Sequence, residues 1–188
     1  DRATITNSNF TAGASTTYLV NVTATGDNVT VSNSTFDTTH AAIGQEGIEV
    51  NVAKATLTDN TYNVGAGDEG ICLYGNTAIS GSTLTGSSGT GVHVTAGISA
   101  TIDDSSFMTL NTAVNNVNGM VTMTNSVVDG STGDAIVAAS QLRMYNCTIQ
   151  NTAATKWAFN LGAGADAEVH FNNILNNTKN VNAVGTAN

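Results

Sequence analysis

A pattern recurring every 21–26 residues constrains this chain more than any other feature. Its core reads apolar–x–Asn/Asp/Gly–small–x–apolar. Copies fall at residues 5–10 (ITNSNF), 31–36 (VSNSTF), 57–62 (LTDNTY), 79–84 (ISGSTL), 102–107 (IDDSSF), 123–128 (MTNSVV) and 144–149 (MYNCTI), with a degraded eighth at 170–175 (HFNNIL). Successive starts lie 26, 26, 22, 23, 21, 21 and 26 residues apart. Period-two alternation runs into each copy. A second short strand follows after a variable loop: GIEVNV at 47–52, GICLY at 70–74, GVHV at 91–94, AVNNV at 113–117, AIVA at 135–138 and AFNL at 158–161. No segment sustains a 3.6-residue period. Strands this short cannot each bury an apolar face alone, and stacking copy on copy builds one continuous core.

The corner residue narrows the choice of solenoid. Asn7, Asn33, Asp59, Gly81, Asp104, Asn125 and Asn146 share one position, and these residue types tolerate the left-handed backbone that a sharp bend requires. A stacked file of Asn is also expected to hydrogen-bond from coil to coil and so satisfy inward-facing polar groups. The next residues, Ser8, Ser34, Asn60, Ser82, Ser105, Ser126 and Cys147, form a mostly small file. Phe10, Phe36, Tyr62, Leu84, Phe107, Val128 and Ile149 form the apolar file expected in the core.

Composition agrees with this assignment. Thr (30), Asn (24), Gly (19) and Ser (14) fill nearly half of the 188 residues, and proline is absent, as inner strands that need every backbone N–H demand. A formal charge of −9, with only three Lys and two Arg, argues against nucleic-acid binding. No apolar run approaches the ~18–20 residues of a membrane-spanning helix. The expected fold is an all-β parallel solenoid of about eight coils, a single domain over residues 1–188. At ~4.8 Å per coil it makes a rod of roughly 38 Å.

These files resemble the right-handed parallel β-helix of the pectin-lyase-like superfamily and its generic parallel β-helix repeats, over roughly residues 3–184. The resemblance implies a right-handed winding. It also implies a range of functions: polysaccharide lyases and hydrolases, phage tailspikes and autotransporter-like surface proteins. The hydrolases of that fold carry an Asn-Thr-Asp segment, an Asp-Asp pair, a Gly-His-Gly and an Arg-x-Lys. Only an Asp-Asp pair, Asp103–Asp104, occurs here, and Asp104 falls in the corner file. The lyases pair acidic calcium ligands with an Arg or Lys. The arginines here are Arg2 and Arg143, and stacking places Glu168 nearest Arg143.

Two outward surfaces attract attention. Aligning the second strands on Ile48, Ile71, Val92 and Val114 puts Glu49, Cys72, His93 and Asn115 in one outward file. Thiol, imidazole and carboxylate are the ingredients of a Cys–His nucleophile or a small metal site, so Glu49, Cys72 and His93 are the candidate ligands. Tyr74, Glu46, Asp68 and Glu69 lie near the same strands. The alternative is an ordinary solvated file of assorted polar residues. The acidic stretch 46–69 leaves calcium open as a ligand, although it holds no recognised calcium loop. The second surface is a pair of Thr files: Thr4 and Thr6, Thr30 with Ser32, Thr56 and Thr58, Thr101 with Asp103, Thr122 and Thr124. Such a face suits ice, a glycan or lateral packing, and Thr is also simply favoured on exposed strands.

The cysteines, about three coils apart, are expected to be free. Sequons occur at Asn9, Asn21, Asn28, Asn33, Asn146 and Asn176, and glycosylation at the corner positions Asn33 and Asn146 would break the bend. That argues against a eukaryotic secretory origin. The chain begins at Asp1 and reads as a mature or excised form. The expectation is a non-catalytic extracellular or cell-surface rod: an adhesin, filament subunit or autotransporter-like passenger. Its partners would be copies of itself, further coils of a longer parent chain, or glycans. The alternatives are a polysaccharide-degrading or polysaccharide-binding protein and an ice-binding one.

Overall fold

The computed structural model describes residues 2–13, 17–23, 28–40, 43–95 and 97–184. They form three parallel sheets of eight strands each, and no helix occurs among them. The first sheet stacks Arg2–Thr6, Asn28–Ser32, Lys54–Thr58, Asn76–Ser80, Ser99–Asp103, Met120–Thr124, Gln141–Tyr145 and Asp166–His170. The second stacks Asn9–Thr11, Thr35–Asp37, Thr61–Val64, Thr83–Gly86, Ser106–Met108, Val127–Asp129, Thr148–Gln150 and Asn173–Leu175. The third stacks Tyr18–Val22, Glu46–Val50, Glu69–Leu73, Thr90–Val94, Thr112–Asn116, Ile136–Ala138, Trp157–Leu161 and Lys179–Ala183. Each coil thus contributes one strand to each sheet, and every neighbour is the equivalent strand of the adjacent coil. The chain is an all-β parallel solenoid.

The register runs file on file. Phe10 pairs with Phe36, Phe36 with Tyr62, Tyr62 with Leu84, Leu84 with Phe107, Phe107 with Val128, and Val128 with Ile149. From Phe36 onward these side chains are at most 1 % exposed. The first three rings stack at 5.1 and 4.9 Å between centroids. From the first sheet, Val31, Leu57, Ile79, Ile102, Met123 and Met144 close the same interior, and Ile48, Ile71, Val92, Val114 and Ile136 close it from the third. Burying such side chains contributes ~1.5–3 kcal/mol each, which is what a stack of short strands has to offset chain entropy.

The first corner is left-handed at every described coil. Asn7, Asn33, Asp59, Gly81, Asp104, Asn125 and Asn146 have φ of 51, 49, 54, 58, 47, 50 and 52°. Their side chains are exposed, so they do not satisfy the interior. Where they bond, they bond outside: Asn146 Nδ2 donates to Asn125 Oδ1 at 2.7 Å, and Asn125 Nδ2 to Asp103 Oδ1 at 2.9 Å.

The inward polar work falls to the next residue. Ser8 N–H donates to Ser34 Oγ, Ser34 N–H to Asn60 Oδ1, Asn60 N–H to Ser82 Oγ, Ser82 N–H to Ser105 Oγ, and Ser105 N–H to Ser126 Oγ, at 3.0–3.3 Å. Each Ser hydroxyl in turn donates to the carbonyl two residues earlier, as Ser105 Oγ does to Asp103 O at 2.9 Å. Cys147 continues the file, and its N–H donates to Asn172 Oδ1 at 2.7 Å. A small hydroxyl meets the buried N–H of the preceding coil, a group that could not stay unpaired cheaply.

The eighth copy sits one residue earlier than the sequence pattern places it. Met144 pairs with Val169 and Tyr145 with His170, so the corner is Phe171, with φ 55° and 89 % exposure. The inner-file residue is therefore Asn172. A second left-handed corner, Thr109, Gly130, Asn151 and Asn176, follows the second sheet in the last four coils.

Candidate functional site

The third sheet carries the densest chemistry. Its strands alternate, so Ile71 and Leu73 enter the core and Cys72 faces the other way. The outward file runs Asn21, Glu49, Cys72, His93, Asn115 by direct pairing. Yet the carboxylate that joins Cys72 and His93 is Glu69 and not Glu49. His93 Nδ1 lies 2.6 Å from Glu69 Oε1, and one ligand atom each from Glu69, Cys72 and His93 lies within 4.8 Å of the others. Strict alternation would put Glu69 and Cys72, three residues apart, on opposite faces. The pairing steps from Glu69 and Thr90 to Ile71 and Val92 without a partner for Gly70. A Cβ at Gly70 would come within 2.9 Å of Gly91 O, so only glycine allows this close step.

Glu46 is the direct neighbour of Glu69 on the preceding coil. Its Oε2 is buried without a hydrogen-bond partner. Burial first, then the like charges of Glu69 and Glu49, push its carboxyl up to about 7. Burial, then Glu69 and Glu46, push the Cys72 thiol well above its ordinary value, and Cys72 is 2 % exposed. The hydrogen bond to Glu69 raises His93 against the opposing effect of burial. A nucleophilic cysteine needs the opposite setting, an electropositive and accessible one. With no cation bound, this setting keeps Cys72 a thiol and disfavours nucleophilic attack.

The remaining candidates divide differently. Asp68, 2 % exposed, accepts the N–H groups of Gly44 and Gln45 at 2.9 and 3.0 Å and so ties down a loop. Asp103 accepts from Thr124 Oγ1 at 2.6 Å and from Asn125, and these bonds hold its carboxyl below the usual range. Asp104 is a left-handed corner. These are not two carboxyls facing one bond. Arg143 reaches Asp166 at 2.8 Å and Glu168 at 3.2 Å, so the acid closest to it is Asp166. Cys72 and Cys147 are both free and buried.

On the first sheet, Thr4, Thr30 and Thr56 stack in register, then Ala78, then Thr101 and Thr122 before Arg143. The parallel file runs Thr6, Ser32, Thr58, Ser80, Asp103, Thr124 and Tyr145. Within it Ser32 Oγ donates to Thr6 Oγ1 at 3.3 Å and Ser80 Oγ to Thr58 Oγ1 at 3.4 Å. All eight threonines are exposed or half-exposed.

The fold and these two surfaces define a parallel β-solenoid with a hydroxyl-lined face and an acidic thiol–imidazole cluster. No family model matches the chain, and comparison with curated proteins and with solved structures likewise returns no match.

Proposed function

We propose that this chain is a non-catalytic structural and adhesive rod of the extracellular or cell-surface kind, wound right-handed as in the pectin-lyase-like superfamily. Parallel strands joined by crossovers wind right-handed in ~98 % of cases, which supports the winding. The observation that carries the reading is the first-sheet face, where hydroxyls of neighbouring coils stand in register and bond at Thr6–Ser32 and Thr58–Ser80. A surface rich in hydroxyls and carrying few charges suits contact with a glycan or a neighbouring rod. Other copies, or further coils of a longer chain, are the partners that fit its ends.

The test is incubation with a panel of neutral and acidic polysaccharides, reading retention on the insoluble forms and products in solution. Retention without new reducing ends or unsaturated products is expected. Product formation would replace this reading with a polysaccharide-degrading one. The in-register threonines also favour ice binding as a second reading, tested by recrystallisation inhibition and by its loss in Thr30→Lys.

A further inference from the structure

We propose that Glu69, Cys72 and His93, with the neighbouring Glu46 carboxylate drawn in beside them, bind a borderline-soft divalent transition ion of the Zn2+ type on the outer face of the third sheet. Geometry provides the first argument. Tetrahedral zinc with bonds of ~2.0–2.3 Å needs ligand atoms about 3.3–3.8 Å apart. Glu69, Cys72 and His93 already offer atoms within 4.8 Å of one another. Small torsions close that gap, and the 2.6 Å contact of His93 Nδ1 with Glu69 Oε1 must open by roughly 0.7 Å to admit the ion. Both side chains reach the surface in part, at 22 and 27 % exposure, which leaves an entry path for the ion.

The second argument is the unpaired oxygen. Glu46 Oε2 is buried and has no hydrogen-bond partner, on the strand directly beside Glu69. Buried carboxylate oxygens are paired or bound to metals. Like charges on directly opposed strand positions are also unfavourable. Glu46, Glu69 and Glu49 crowd one face with a single imidazole between coils, and a divalent cation relieves that crowding.

Ligand type selects the ion. Thiolate and imidazole are poor partners for Ca2+ and Mg2+, which take six or more oxygens, and good ones for Zn2+ and its neighbours. On binding, bonds to these side chains replace water ligands of the ion. The Cys72 thiol proton leaves to solvent with any proton on Glu46, and His93 binds through Nδ1 as the neutral tautomer protonated at Nε2, releasing a proton only if the ring was charged.

The experiment titrates chelator-treated protein with Co2+, a spectroscopic stand-in for Zn2+. The expected result is saturation at one equivalent, with intense visible ligand-field absorption and a sulfur-to-cobalt charge-transfer band, both abolished by Zn2+. Cys72→Ser should lose the charge-transfer band. Cys147→Ser should keep it, because serine is the usual residue of that inner file. His93→Gln, at a half-buried outer position, should raise the Kd at least about tenfold. Far-UV circular dichroism checks that each variant is folded. Absence of the charge-transfer band in the parent protein, its survival in Cys72→Ser, or an unchanged Kd in a folded His93→Gln would each overturn the proposal.

Discussion

Replacing Ser105 by alanine isolates one rung of the inner hydroxyl ladder. Ser105 is 3 % exposed; its hydroxyl accepts the Ser82 N–H at 3.3 Å and donates to Asp103 O at 2.9 Å. Losing the hydroxyl does not strand the carbonyl, because Asp103 O also accepts the Gly81 N–H at 3.2 Å. The Ser82 N–H, on a residue 1 % exposed, is left without an acceptor. An orphaned buried donor costs about 1–3 kcal/mol, so Ser105→Ala is expected to destabilise by about 2 kcal/mol. Ser8 provides the internal control. Its hydroxyl donates to Thr6 O in an exposed setting and accepts from no other coil among the described residues. Ser8→Ala should therefore cost less than about 0.5 kcal/mol. Ser105→Cys should fall between the two, as Cys147 occupies the equivalent place. Urea unfolding followed by far-UV circular dichroism reads the difference; with a slope of ~2 kcal/mol per M it is a midpoint shift of roughly 1 M. If Ser105→Ala and Ser8→Ala unfold at the same midpoint, the ladder is incidental to stability and the reasoning fails.

Gly81→Asn should leave stability within about 0.5 kcal/mol of the parent, because the strain of φ 58° on a side chain offsets the lower entropy of the unfolded chain. The added Cβ meets the exposed Asp59 carboxylate, which can turn aside and accept from the new amide, and a urea midpoint shifted beyond that range would contradict this. Phe171→Asn removes a bulky, 89 % exposed ring from a backbone at φ 55° and should raise the urea midpoint by the equivalent of about 1 kcal/mol. Glu46 governs a pH effect in chelator-treated protein. Its folded value, about 7, lies above the ordinary 4.5, so the folded state holds the proton more tightly. Its contribution is fully present below pH ~4.5 and is lost as pH rises through ~7. Denaturation midpoints across that window should fall with pH, and Glu46→Gln should flatten the slope; an equal slope in both proteins would refute the assignment.

The apolar files were legible because a solenoid repeats one constraint at every coil, so Phe36, Tyr62 and Leu84 announce each other across 22–26 residues. The left-handed corner was legible for a similar reason: few residue types tolerate it. The phase of the last coil was hidden because Phe171 is an improbable corner, while the run FNNILNN offers asparagines one place later. The second corner was masked by composition, as Asn, Gly and Thr crowd every loop. Residue type does not tell which way a corner amide points: the bend turns it to solvent and presents the following hydroxyl to the interior. Glu69 lies beside these strands in the sequence, but strict alternation gives no reason to join it to Cys72, and the ladder skips Gly70. A glycine opening three successive strands, at Gly47, Gly70 and Gly91, was the available signal.

The hydroxyl ladder gives the rod a direction. Every rung runs from an N–H in one coil to a side-chain oxygen in the next coil along the chain, from Ser8 through Ser105, with Cys147 doing the same toward Asn172. Along this file the two ends are therefore unlike, one offering a side-chain acceptor and the other a backbone donor. A further coil that extends this ladder joins head to tail in the same sense. Within this file, identical ends would set donor against donor or acceptor against acceptor. A ladder extended in this way is heterologous, each rung meeting an unlike partner.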